Sequence, residues 1–178
     1  ATPELIQNNS IQAETSGDFP ASTQSFGVEL ASIQSAVGAT ATGNSVTNTA
    51  YGILLWNLPS TGAVTVSGGT LSGNQIGVWA TSSEPQFGPA AASASSISGI
   101  TVLNPAVAGV AVDDSTSTAA TRLTISGNCA VHGSPAGVLV AGAAASAIVK
   151  DNSASITGNT VGVDVNGGTA LVQNNDLT

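Results

Sequence analysis

The feature that most restricts this chain is a glycine followed by a branched apolar residue, which returns as Gly27-Val28, Gly52-Ile53, Gly77-Val78, Gly109-Val110, Gly137-Val138 and Gly162-Val163. The glycines lie 25, 25, 32, 28 and 25 residues apart. A period of that size belongs to a solenoid, in which each repeat is one turn stacked on the last. A second marker precedes most of them, an alternating Ser/Thr/apolar run closed by Gly-Asn or Asn: Thr40 to Asn44, Thr70 to Asn74, Val102 to Asn104, Thr124 to Asn128 and Ser155 to Asn159. Two markers in fixed order at a fixed period predict one β-solenoid over residues 1–178.

Composition bounds what such a spring can do. Of 178 residues only 7% are charged and 3% aromatic, far below globular averages, while 42% are hydrophobic and alternate with polar ones. Alternation at that hydrophobicity means strands with one buried face, and excludes disorder. The net charge is −8 and the only fixed cations are Arg122 and Lys150, so nothing neutralises phosphates. Nucleic acid and anionic membrane surfaces are poor partners. No apolar run approaches the roughly 18 to 20 residues of a membrane span, and the opening at Ala1 without a leader suggests a processed or excised form. Cys129 is the single cysteine and is expected to be a small buried residue.

Each turn reads as three strands. The third turn is the clearest: Ala63 to Ser67, a Gly68-Gly69 corner, Thr70 to Asn74, a minimal corner at Gln75, then Ile76 to Ala80. By the same reading Thr40 to Asn44 and Leu123 to Asn128 are second strands of their turns, and Asn128 is followed by a loop through His132 to Pro135. Tight corners need a left-handed backbone conformation, which Gly and Asn adopt at least cost, and stacked Asn amides can hydrogen-bond along the ladder. Asn44, Asn74, Asn104, Asn128 and Asn159 are therefore expected to form one corner ladder. Strand alternation places the residue before each repeat glycine (Phe26, Tyr51, Ile76, Ala108, Ala136, Val161) and those at +1 and +3 inward, with +2 and +4 outward.

A short Asn corner between second and third strands, with variable loops elsewhere, resembles the right-handed parallel β-helix of the pectate lyase superfamily over essentially the whole chain. The resemblance implies an all-β, three-faced, right-handed parallel β-helix of about six turns. That superfamily contains polysaccharide lyases, glycoside hydrolases, tailspikes and adhesin stalks, so fold alone does not choose among them. Polygalacturonase-like hydrolases use paired aspartates, a His-Gly and an Arg-x-Lys; Asp113-Asp114, His132-Gly133 and Val149-Lys150 occur here in that order. The family's upstream Asn-Thr-Asp is absent, and a strand length of about 15 Å separates the aspartates from His132. The lyases need a calcium-binding carboxylate cluster with a basic residue, and Arg122 has none beside it. The expectation is a non-enzyme with no cofactor and no metal.

The outward columns and the two ends carry the functional expectations. On the third strand Leu54, Trp56, Trp79 and Leu139 are expected to face out as an apolar stripe, covered by the loop that carries Phe87, by another subunit, or by a polysaccharide. The Thr/Ser pairs Thr40/Thr42, Thr70/Ser72, Thr124/Ser126 and Ser155/Thr157 are expected outward on the second strand and are similar to the arrays of ice-binding β-helices. The ends are expected to lack caps. Leu5-Ile6-Gln7-Asn8-Asn9 and Leu171-Val172-Gln173-Asn174-Asn175 are near copies, so the chain enters and leaves at nearly the same phase. Matching open ends related by a translation make a contact that does not close and generate a fibre. The chain is thus read as an extracellular or cell-surface structural protein whose subunits stack head to tail. The alternatives are a carbohydrate-binding or carbohydrate-active β-helix and an excised stalk segment of a larger adhesin. Asn8-Asn9-Ser10 forms a glycosylation sequon whose use is left open.

Overall fold

The computed structural model describes residues 4–13, 25–31, 38–57, 62–81, 95–114, 121–127, 129–153 and 155–178. Among these every regular element is a strand. The chain visits three parallel sheets in rotation. The first sheet stacks β1 (Glu4–Gln7), β4 (Ala39–Thr42), β7 (Val64–Ser67), β10 (Ser96–Ser98), β13 (Thr121–Ser126), β16 (Ala145–Lys150) and β18 (Thr169–Gln173). The second stacks β2 (Ser10–Gln12), β5 (Ser45–Thr47), β8 (Thr70–Ser72), β11 (Thr101–Leu103) and β14 (Ala130–His132). The third stacks β3 (Phe26–Ala31), β6 (Tyr51–Trp56), β9 (Ile76–Thr81), β12 (Ala108–Asp113), β15 (Ala136–Ala141) and β17 (Val161–Asn166). Five turns contain all three strands. In a sixth the middle strand is reduced to one bridge between Val131 and Ile156.

The core is a set of columns, each filled by one side chain per turn. The third sheet contributes Val28, Ile53, Val78, Val110 and Val138, and beside them Leu30, Leu55, Ala80, Val112 and Val140, the +1 and +3 positions that alternation predicts. The first sheet adds Ala41, Val66, Ile97, Ile125 and Val149, and the second Val46, Leu71, Val102, Val131 and Ile156. Parallel strands joined in one continuous sense, each crossing to the next sheet, match the right-handed connection rule for parallel strands.

The position before each repeat glycine departs from the inward expectation. Tyr51 stacks on Phe26 with centroids 5.5 Å apart and on Trp79 at 4.5 Å, so it shares the outer face with a +2 residue. Ile76, Ala108 and Ala136 likewise pack with Trp79, Ala111 and Leu139, apart from the main core. The glycine itself causes this. A Cβ on Gly27 or Gly109 would overlap the Cγ1 of Val46 or Val131, so the glycine Cα takes the inward place against the second sheet and the residue after it also points in. Alternation slips by one residue there, and the preceding side chain is turned out.

Strand assignment differs in two turns. Thr40 to Asn44 and Leu123 to Asn128 fall in the first sheet, where β4 pairs with β7 and β13 with β10. The second strands of those turns are β5 and β14, the latter lying where the sequence reads as a loop. The one expected asparagine ladder accordingly divides between two corners.

Candidate functional site

At the corner between first and second sheets, Asn9 N and Nδ2 donate to Asn44 Oδ1 at 3.1 and 3.0 Å, and Asn44 Nδ2 donates to Ile6 O at 3.1 Å. Further along the same corner Cys129 N donates to Asn152 Oδ1 at 3.0 Å, and Asn152 N and Nδ2 donate to Asn175 Oδ1 at 3.2 and 2.8 Å. Asn74 and Asn159 stand instead at the next corner, accepting from Thr49 N and Ser134 N, each at 3.0 Å. Asn104 occupies a third kind of place, the left-handed residue of that corner with φ of 50°, equivalent to Asn48 and Gly73. Asn128 lies outside the described residues. Asn152, Asn9 and Asn175 were not separable from ordinary strand-end asparagines by the Gly-Asn signal, because an Asn or Asp precedes each of them in place of glycine.

The two ends meet the same columns. β1 and β18 are the outer strands of the first sheet. Leu5 and Leu171 are opposite ends of one outward column that runs through Thr40, Thr65, Ser96, Thr124 and Ile148. Ile6 and Val172 end the inward column of Ala41, Val66, Ile97, Ile125 and Val149. Asn8 and Asn174 both hold positive φ, 54° and 52°, at the same corner. At the far end core-column side chains are open to solvent: Val172 is 41% exposed and Val165 46%. Leu5 is 57% exposed at the near end. After β18 the chain follows the spiral through one more second-sheet passage, placing Leu177 over Gly162 as Ile156 lies over Gly137, with Gly158 N donating to Thr178 O at 3.0 Å.

The outer face of the third sheet is apolar but not an open platform. Leu54 is 3% exposed and Ala111 is buried, while the Trp79 ring is stacked against Tyr51 and packs with Leu139. Trp56, two residues beyond Leu54, is 38% exposed. Phe87 lies outside the described residues. The hydroxyl pairs occupy two faces where one was expected: Thr40/Thr42, Thr65/Ser67, Ser96/Ser98 and Thr124/Ser126 on the first sheet, and Ser45/Thr47 and Thr70/Ser72 on the second. Ser67 Oγ donates to Thr42 Oγ1 at 3.0 Å, a rung between turns. Ser155, expected outward, is buried and donates to Ser153 O at 2.8 Å.

The acid, histidine and lysine candidates are not brought together. Asp113 ends a third-sheet strand, His132 a second-sheet strand and Lys150 a first-sheet strand, so each stands at a different corner of the solenoid. Burial, and then the neighbouring Asp114, push the Asp113 carboxyl above its ordinary range. Asp114 is buried beside it, with its backbone N donating to Ala141 O at 3.0 Å. His132 faces the next turn, its Nδ1 3.1 Å from both Thr157 O and Thr157 Oγ1. Cys129 is wholly buried, its Sγ 3.3 Å from Ser126 O and 3.6 Å from Ile97 O. Burial pushes its thiol pKa up.

A family model described as periplasmic copper-binding protein (NosD) matches residues 2–178. No curated protein and no solved structure matches the chain significantly. No helix among the described residues is long and apolar enough to cross a membrane. The three-sheet parallel solenoid and a match along nearly its whole length agree, and the chain belongs to the periplasmic copper-binding protein (NosD) family.

Proposed function

We propose that this chain is a non-enzymatic structural solenoid acting outside the cytoplasm, whose end faces take up a further turn of the same phase, so that copies stack head to tail. The observation that carries the reading is the identity of columns at the two ends of the first sheet: Leu5 with Leu171, Ile6 with Val172, and Asn9 with Asn175. The asparagine ladder also has polarity. Asn9 and Asn152 each donate to the Oδ1 of the next turn's asparagine, Asn44 and Asn175, so Asn175 N presents a donor where Asn9 Oδ1 of another copy presents an acceptor. The family's periplasmic description supports placement outside the cytoplasm.

Such a junction adds a strand to the first sheet beside β18. Stacking of separate copies is concentration-dependent by mass action. Light scattering across a concentration series, with electron microscopy of the same samples, tests this. Growth into filaments about 4.8 Å per turn along the axis is expected. Val172→Lys puts a charge on a side chain already 41% exposed in a single copy, so it should abolish growth while leaving the melting of the monomer unchanged. Monomers at every concentration would end the stacking reading.

A second reading, polysaccharide binding, is favoured only by Trp56, exposed at the end of β6, the strand that begins with Tyr51 of the Phe26, Tyr51 and Trp79 stack. It predicts a shift of tryptophan emission on titration with polysaccharide that is lost in Trp56→Ala.

A further inference from the structure

The family's description implies copper, and this chain's own donors do not fit it. Copper(I) selects thiolate and thioether ligands, and copper(II) favours imidazole in a tetragonal set. The whole sequence contains one cysteine, one histidine and no methionine. That pair is close in sequence and cannot converge. Along the second sheet Val131 points into the core and His132 points out, while Cys129, two residues before Val131, points in and is fully buried. The Cys129 sulfur is directed at Ser126 O and Ile97 O, and its raised pKa keeps it a thiol rather than the thiolate that metals bind. His132 has Nδ1 already occupied by Thr157, which leaves one ring nitrogen on an otherwise hydroxylated and apolar face.

Hard ligands do not rescue the site. Among the described residues no three His, Cys, Asp or Glu side chains gather closely enough to hold an ion. At the corner between first and second sheets, where a solenoid could stack one ligand per turn, the outer turns carry asparagine amides bonded to the backbone carbonyls of Ile6, Ile125 and Val149, and the turns between them carry Gly69, Ile100 and the buried Cys129. Those amides are already saturated by the fold.

We infer that this chain carries the family's β-helix without a copper centre of its own, and that its folding and any assembly are independent of copper. The inference stands apart from the stacking proposal, since it concerns donor chemistry within a single copy. The test is dialysis of the intact chain against copper(II), and separately against copper(I) under reductant, each with a competing chelator, followed by metal analysis and thermal melting. The expected result is removal of essentially all copper by the competitor, with the same melting temperature with copper and with chelator alone. Near-stoichiometric copper surviving competition, lost in His132→Gln or in Cys129→Ser, would overturn it. Retention in both variants would overturn it as well, by placing a site elsewhere in the chain. As a folding-independent check, Cys129 should react with a thiol reagent only after denaturation; rapid labelling of the native chain would contradict the buried-thiol argument.

Discussion

At the residue scale the fold depends on atoms that are missing and on amides that are doubly used. Gly109 sits where a Cβ would meet Val131 Cγ1 and the carbonyl of Gly137, so the neighbours would have to move apart across two turns. Gly109→Ala is expected to destabilise by about 1 to 3 kcal/mol, the usual cost of overpacking, measured by urea unfolding; an unchanged midpoint would refute the close-approach argument. Asn152 is fully buried and bonds Cys129 N, Ile125 O, Lys150 O and Asn175 Oδ1. Asn152→Ala leaves buried backbone groups without partners and should cost about 2 to 3 kcal/mol. Asp113 responds to pH in a definite direction. Its folded pKa is raised, so the protonated form favours the folded state, and that contribution is complete below the ordinary carboxylate range and lost as pH rises through the raised value. Asp113→Asn should therefore raise the melting temperature at neutral pH and make no difference in strong acid. A gain that persists in acid would point to a cause other than charge.

At the scale of elements the third sheet is the most regular part. β3, β6, β9, β12, β15 and β17 are six residues long and pair over four or five residues each, whereas second-sheet strands are three residues long and the sixth turn keeps one bridge there. Local stability should follow that difference. Hydrogen exchange is expected to protect the amides of β9, β12 and β15 most strongly, and those of residues 155–157 least among the inner turns. Uniform protection along the sixth turn would mean that the second sheet is as firmly built as the third. The hydroxyl faces of the first two sheets fit this picture: Thr and Ser suit a strand and keep an exposed sheet hydrated, and they add rungs such as Ser67 to Thr42.

At the scale of the molecule, stability in a solenoid is a sum of turns and of the interfaces between them, so an end turn is always short of one neighbour. Val165 and Val172, which end inward columns at the far end, show that shortfall. A further turn would bury them. If stacking occurs, binding that favours the folded state should make the melting temperature rise with protein concentration. Val172→Lys should abolish that dependence. A concentration-independent melt of the parent chain would weigh against head-to-tail assembly together with the scattering result.

Residue spacing alone determined the period, the parallel three-strand turn, the six third-sheet strands and the inward +1 and +3 columns, because a glycine followed by an apolar pair is a local signal repeated once per turn. It did not determine which corner each asparagine occupies. First- and second-sheet strands share the same Ser/Thr-x-Ser/Thr pattern, and Gly-Asn follows both Thr40 to Thr42 and Thr70 to Ser72. Only hydrogen bonds between turns, more than twenty residues apart in the chain, separate the two. The tertiary structure also decided the outward turn of Tyr51 and Ile76: alternation is a property of an isolated strand, and the contact of each repeat glycine with the second sheet of the next turn is what breaks it.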